Sequence, residues 1–218
     1  IEWTYNIRSG EYKYAYKENE QNMKKTETEI QDCYILEPAT YGDERGYFSP
    51  FLNDKELRSH NIYFDGVVQC NRSKSAKGVV RGLHFQKNPK CQTKIVEVIN
   101  GSALDIVVDL RVDSPTYGKH TIVLLKSYDK DDKESGKQLY VPRGCAHGFI
   151  SLEDNTLFQY FVDNDYAPEY EAGIQWNDPD LGIDWTGMFN EHGISNPITS
   201  EKDNKQLKLN MSPKYFQY

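Results

Sequence analysis

His84, Lys94, Tyr160 and Asp178 have the side-chain types that proton transfer beside a carbonyl requires. His84 lies in GVVRGLHFQKNPKCQTKIVEV with Arg81 and Lys94, and Tyr160 and Asp178 follow in LFQYFVD and IQWNDPD. A histidine with a carboxylate partner is a positioned general base, because the carboxylate fixes the tautomer and stabilises the imidazolium. A lysine supplies fixed positive charge where an oxyanion develops. A tyrosine is a weak acid able to deliver a proton. Such a set suits removal of a proton next to a ketone and its return to the opposite face. Spacing alone does not show that these groups converge, and at that level a hydrogen-bonded structural role fits His84 at least as well.

The elements that must position them read as strands. SALDIVVDLR alternates Leu104, Ile106, Val108 and Leu110 with Asp105, Val107, Asp109 and Arg111, the period-two pattern of a half-buried strand. Shorter apolar runs at 34–36, 47–52, 66–70, 79–86, 93–99, 121–125, 138–141, 148–152 and 157–162 continue the series. Turn signals such as Asn100-Gly101, Ser114-Pro115 and Pro142-Arg143-Gly144 separate them. Residues 54–59 and 201–207 alone suggest helices, and the charged run 128–137 suggests a solvated hairpin loop. Many short strands without long helices between them indicate a β-sandwich or barrel. Strict alternation places His84 and Gln86 on one strand face and Arg81 on the other, so that Arg81 reaches the same ligand only if Gly82 allows a bulge or the strand lies at a shared edge.

The chain has 218 residues, long enough for one core to hold a single domain, with 26 Lys and Arg against 33 Asp and Glu for a formal charge of −7. That balance disfavours a nucleic-acid binder. No apolar run reaches the roughly 18 residues of a membrane span, and no stretch reads as a signal peptide. Cys33, Cys70, Cys91 and Cys145 form no CxxC pair. They suggest reduced thiols and a cytoplasmic setting. Residues 1–22 contain no Leu, Val or Phe. They are expected to be an N-terminal extension, whether tag, upstream tail or docking arm, ahead of a domain over 23–218.

Gly78, His84, Gly136, Pro142, Gly144 and His147 are spaced like the two halves of a cupin, a jelly-roll barrel. A metal cupin needs His-x-His; here His84-Phe85-Gln86 offers a neutral amide, a poor ligand beside imidazole. The expectation is an all-β, cupin-like jelly-roll barrel with a few short helices and with no metal or other cofactor. The blocks GDERGYF, NRSKSAKGVVRGLHFQ, LDIVVDLRVDSPTYGKH, VPRGCAHGF and YAPEYEAGIQWNDPDLGIDW narrow this further. From about Met23 to Trp185 the chain resembles the dTDP-4-dehydrorhamnose 3,5-epimerase family.

The resemblance implies a cupin-like homodimer acting on a nucleotide-diphospho-sugar, a 4-keto-6-deoxy sugar, at C3, C5 or both. It implies His84 as base, Asp178 as its partner, Lys94 as the enolate's counter-charge and Tyr160 as the opposite-face acid. It places Arg45, Gln69, Asn71, Arg81 and His147 around sugar and diphosphate, and Tyr166 against the nucleotide base. Asp165 stands where the family commonly has a first tyrosine, and Phe85 where it often has Tyr, so nucleotide and sugar identity stay open. Two other functions remain at this level: a sugar-nucleotide 3,4-ketoisomerase, which also uses a barrel His and Tyr, and a non-catalytic sugar-binding module.

Overall fold

The computed structural model describes residues 2–6, 11–15 and 23–217. Within the stretch expected to be an extension, β1 (Glu2–Asn6) and β2 (Glu11–Ala15) pair with each other as a two-stranded sheet. The rest of that stretch lies outside the described residues. From Met23 onward the strands are β3 (Lys24–Glu27), β4 (Tyr34–Glu37), β5 (Tyr41–Asp43), β6 (Gly46–Phe48), β7 (Gln69–Ser75), β8 (Val80–Gln86) and β9 (Lys94–Asn100). They continue as β10 (Ser102–Asp109), β11 (His120–Lys126), β12 (Gln138–Val141), β13 (Cys145–Ser151), β14 (Thr156–Val162) and β15 (Glu171–Gly173). Helices are short: α1 (Asp54–Ser59), α2 (Trp185–Glu191) and α3 (Glu201–Asn204), with single 3-10 turns between.

Two sheets face each other. One is five-stranded, in the order β11-β10-β13-β8-β15, and the other is six-stranded, β3-β4-β12-β9-β14-β7. Ala103 and Val107 of β10, Val96 of β9 and the stacked Phe149 and Phe158 rings fill the space between them. Leu104, Ile106 and Val108 point the other way and pack beneath Trp176, Trp185, Met188 and Phe216. Every residue of β10 is therefore buried. The expected half-buried strand is corrected: its second face is roofed by the C-terminal segment, which strand periodicity alone does not reveal.

Other boundaries shift for local reasons. The run expected at 47–52 is strand only through Phe48, where β6 closes a hairpin with β5. The helix expected over 201–207 stops at Asn204, because Leu207 leaves to bridge Ile174. Helix α2 was not foreseen from the sequence; Asp184 caps it by accepting from the Gly187 amide at 2.8 Å. The charged run 128–137 is a loop, but it links β11 in one sheet to β12 in the other and so is not a hairpin.

The feature that sets up the site lies in β8. His84 is opposite His147 of β13, and Arg81 is opposite Phe149, so β8 holds one more residue than β13 between these pairs. This bulge reverses the alternation and turns Arg81 to the His84 side. It needs two glycines. Gly82 has φ 122°, and a Cβ on it would lie 2.6 Å from the Gly148 Cα. A Cβ on Gly148 would run into the Arg81 carbonyl oxygen. Gly148→Ala is therefore expected to destabilise the fold by about 2–3 kcal/mol. Thermal unfolding checks this against Gly42→Ala, whose added methyl meets the Gly46 carbonyl oxygen at an ordinary 3.6 Å.

Candidate active site

A cavity of about 550 Å³ opens between the two sheets, a size suited to a small-molecule ligand. His84, Arg81 and His147 reach it from the five-stranded sheet. Lys94, Tyr160 and Asn71 reach it from the six-stranded sheet, and Tyr166 stands on the loop before β15. These sequence-expected residues are thus brought together. Arg45, Gln69 and Asp178 are not among the lining residues.

The His84 Nε2 lies 2.5 Å from Oδ1 of Asp203. With Nε2–H donated to that carboxylate, Nδ1 keeps the lone pair that makes the ring a base. Burial alone would raise the Asp203 carboxyl, but the hydrogen bond and charge of His84 and the Ser200 hydroxyl bring it below its ordinary value. Asp203 arrives on α3, whose first turn is capped by Ser200 Oγ accepting from the Asp203 amide at 3.0 Å. The segment carrying it is tied to the residue just before β8 by the bridge between Val79 and Ile198.

Asp178, expected as the His84 partner, is elsewhere. Its Oδ2 accepts from the Leu209 amide at 2.7 Å and its Oδ1 from the Asp180 amide at 3.1 Å, capping the 3-10 turn Pro179–Leu181. An Asp before Pro at a turn start has its oxygens claimed by backbone amides. The correct carboxylate carried a signal that sequence reading passed over: Ser200-Glu201-Lys202-Asp203 is a capping-box pattern, fixing where α3 begins and hence where Asp203 sits.

Across the cavity, the Lys94 ammonium is 5.9 Å from the centre of the Tyr160 ring. Burial brings the Lys94 pKa down to about 8, against the opposing pull of Asp105 and Glu171. Burial and the nearby Glu171 raise the Tyr160 phenol, while Arg81 works the other way. At neutral pH this leaves a charged lysine and a protonated tyrosine facing the imidazole. Arg81 lies at the rim with Nε donating to Ser75 Oγ at 3.2 Å.

At the mouth, the exposed Tyr166 donates its hydroxyl to Glu171 Oε2 at 3.0 Å, and Lys202 Nζ is 2.7 Å from the same oxygen. Glu171, Lys202 and Asp203 also line the cavity and were missed by sequence reasoning. Gln86, at the second ligand position of a metal cupin, spends its amide on the Lys90 and Asp165 carbonyls and the Ala167 amide. Arg45 sits on the exposed β5–β6 hairpin, paired with Asp43. Gln69 donates to Asn71 Oδ1 at 2.6 Å on the edge strand β7.

A family model described as dTDP-4-dehydrorhamnose 3,5-epimerase matches residues 27–211. The chain belongs to that family. The match runs past the sequence blocks that first suggested it and takes in Asp203. A dTDP-4-dehydrorhamnose 3,5-epimerase of Sinorhizobium fredii is 42% identical over 190 residues, covering 87% of this chain and 91% of that protein. The fold is similar to a Legionella pneumophila dTDP-6-deoxy-D-glucose-3,5-epimerase crystallised with dTDP-4-keto-L-rhamnose. That match has TM-score 0.80 and 36% identity over 90% of this chain and 99% of that one. It is also similar to a Bacillus anthracis dTDP-4-dehydrorhamnose 3,5-epimerase with TDP and PPi bound. There the TM-score is 0.76 and the identity 41% over 85% of this chain and 99% of that one. The expected all-β, cupin-like jelly roll is the fold observed, and the leading expectation of an epimerase agrees with the family.

Exchanging the two carboxylates separates their roles. Asp203→Asn is expected to lower epimerase turnover by about 10²–10⁴-fold, the range for a disturbed positioned base. Asp178→Asn is expected to lower the unfolding midpoint while leaving turnover within about threefold. Steady-state kinetics and thermal unfolding of both variants check this.

Proposed function

We propose that this chain epimerises C3 and C5 of a nucleotide-linked 4-keto-6-deoxy sugar, converting dTDP-4-dehydro-6-deoxyglucose to dTDP-4-dehydrorhamnose. The observation that carries the reading is the His84–Asp203 pair on one side of the cavity with Tyr160 and Lys94 on the other. The C4 ketone acidifies the protons on both neighbouring carbons. His84 Nδ1 takes one; the C–H electrons pass into the C3–C4 or C4–C5 bond and place negative charge on the ketone oxygen. Lys94 offsets that charge, a large term in an enclosed site. The enolate then takes a proton from the Tyr160 hydroxyl on the opposite face, and the carbon is inverted. Presenting C5 and then C3 to the same base inverts both.

Arg81 suits the diphosphate, which a guanidinium binds by charge-assisted hydrogen bonds. His147 and Asn71 face the sugar, and Tyr166 offers an exposed ring for the nucleotide base. Arg45 and Gln69 are assigned to the cavity of a second copy. The support is the placement of both residues away from their own cavity, next to apolar side chains that solvent would otherwise meet: Tyr47, Phe48, Val67 and Val68 are each about half exposed or more. β7 is also an open sheet edge, which a partner strand covers at low cost. We therefore propose a homodimer. The four unpaired cysteines suit a reducing cytoplasm, and no helix among the described residues is long and apolar enough to cross a membrane.

Incubation with dTDP-4-dehydro-6-deoxyglucose in heavy water tests the reaction. Deuterium is expected at C3 and C5 of an inverted product; label at one carbon makes it a single-centre epimerase, and a carbonyl moved to C3 makes it a ketoisomerase. In Tyr160→Phe, inversion is expected to fall by about 10²–10⁴-fold. Exchange should fall less, because His84 returns the proton to the face it came from. Equal losses remove Tyr160 from its role. kcat/KM is expected to decline above about pH 8 as Lys94 loses its proton, a limb that a pH–rate profile reads directly. Light scattering is expected to give twice the chain mass, and to give the same after removal of residues 1–22.

A further inference from the structure

Beneath the dyad chemistry lies a second histidine–carboxylate pair that the proposed reaction does not use. Asp105 on β10 is fully buried, and its Oδ2 accepts from His147 Nε2 at 3.0 Å. Oδ1 lies 2.9 Å from the same nitrogen but receives no hydrogen bond of its own. A buried carboxylate with an oxygen left over is costly unless its charge serves something nearby. Alternation places Asp105 on the inner face of β10 with Ala103 and Val107. It places Lys94 on the inner face of β9 with Val96 and Val98, and those apolar neighbours share one cluster between the sheets. His147 is itself opposite His84 in the strand register. The base and the enolate's counter-charge thus both border this pair, and the acid Tyr160 lines the same cavity as His147.

We propose that Asp105 is a positioning residue of the active site: its carboxylate orients the His147 ring and supplies the counter-charge that holds Lys94 in its working form. Two consequences follow from the chemistry. With Nε2–H committed to Asp105, the His147 Nδ1 is an acceptor, fit to receive a hydroxyl of the substrate sugar. And Lys94, stripped of water by burial, depends on the anions around it to stay charged. Those facing it are Asp105 from β10 and Glu171 from β15; Arg81, His84 and His147 are the nearby cationic or titratable groups of β8 and β13, and Tyr160 that of β14. Glu171 is already neutralised by Lys202, which leaves Asp105 as the anion whose removal Lys94 feels most.

This inference rests on the epimerase reading, in which Lys94 must be a cation. Asp105→Asn keeps the shape and the acceptor for His147 Nε2–H but removes the charge. The alkaline limb of its kcat profile is expected to move down by about one pH unit, so that kcat on the alkaline side falls about tenfold. KM should change less than kcat. A folded Asp105→Asn enzyme whose alkaline limb stays with the wild type overturns the proposal and leaves the epimerase reading standing. Absence of epimerisation by the wild type overturns that reading instead. Nitrogen NMR of the unmodified protein, with His147→Gln used for assignment, covers the case in which Asp105→Asn fails to fold. His147 is expected to carry its proton on Nε2, and a ring protonated on Nδ1 alone overturns the proposal.

Discussion

The close contact between Gly82 of β8 and Gly148 of β13 is the constraint on which the site depends. Backbone meets backbone there, with no room for a Cβ on either strand. That approach accommodates the extra residue in β8 and so decides which way Arg81 points. Without it, the guanidinium would be turned to the opposite face from His84, toward the packing beneath the C-terminal segment. The bulge puts a guanidinium and an imidazole on one face of a short strand, which strict alternation could not arrange.

Electrostatics in the cavity follow from how unlike charges are divided. Arg81 and Lys94 face the opening between the sheets, whereas Asp105 and Asp203 are buried behind the two histidines. Asp203 and Asp105 pair with His84 and His147, and Glu171 at the mouth pairs with Lys202. Lys94 is the sensitive member, because burial works against its charge while nearby anions support it.

Much of this was legible in the sequence, and the misses share a cause. β8, β9, β12 and β14 were anticipated to within a residue or two, since period-two patterning and turn residues are local signals. Strict alternation set Arg81 apart from His84, and of the two routes back, a bulge at Gly82 or a shared edge, β8 takes the first. What could not be read were contacts between distant stretches. β10 looked half-buried because nothing in SALDIVVDLR announces the tryptophans that cover it. Asp178 looked like a base's partner because it lies within a block that resembles the family, yet its oxygens answer to the amides of Asp180 and Leu209. Asp203 looked like an ordinary helical residue: its capping-box pattern marks where α3 begins, but not that the bridges at Val79 and Ile174, beside β8 and β15, bring the helix to His84.

The separation of His84 from Asp203 also has a temporal side. The two are 119 positions apart, so a ribosome that has released the β8 strand must still add all of the remaining barrel before the imidazole meets its carboxylate. Until then the growing chain holds a histidine without the group that fixes its tautomer. Chemical competence is thus one of the last properties this polypeptide acquires during its synthesis, arriving with the segment that closes over β8 rather than with the barrel that surrounds the cavity.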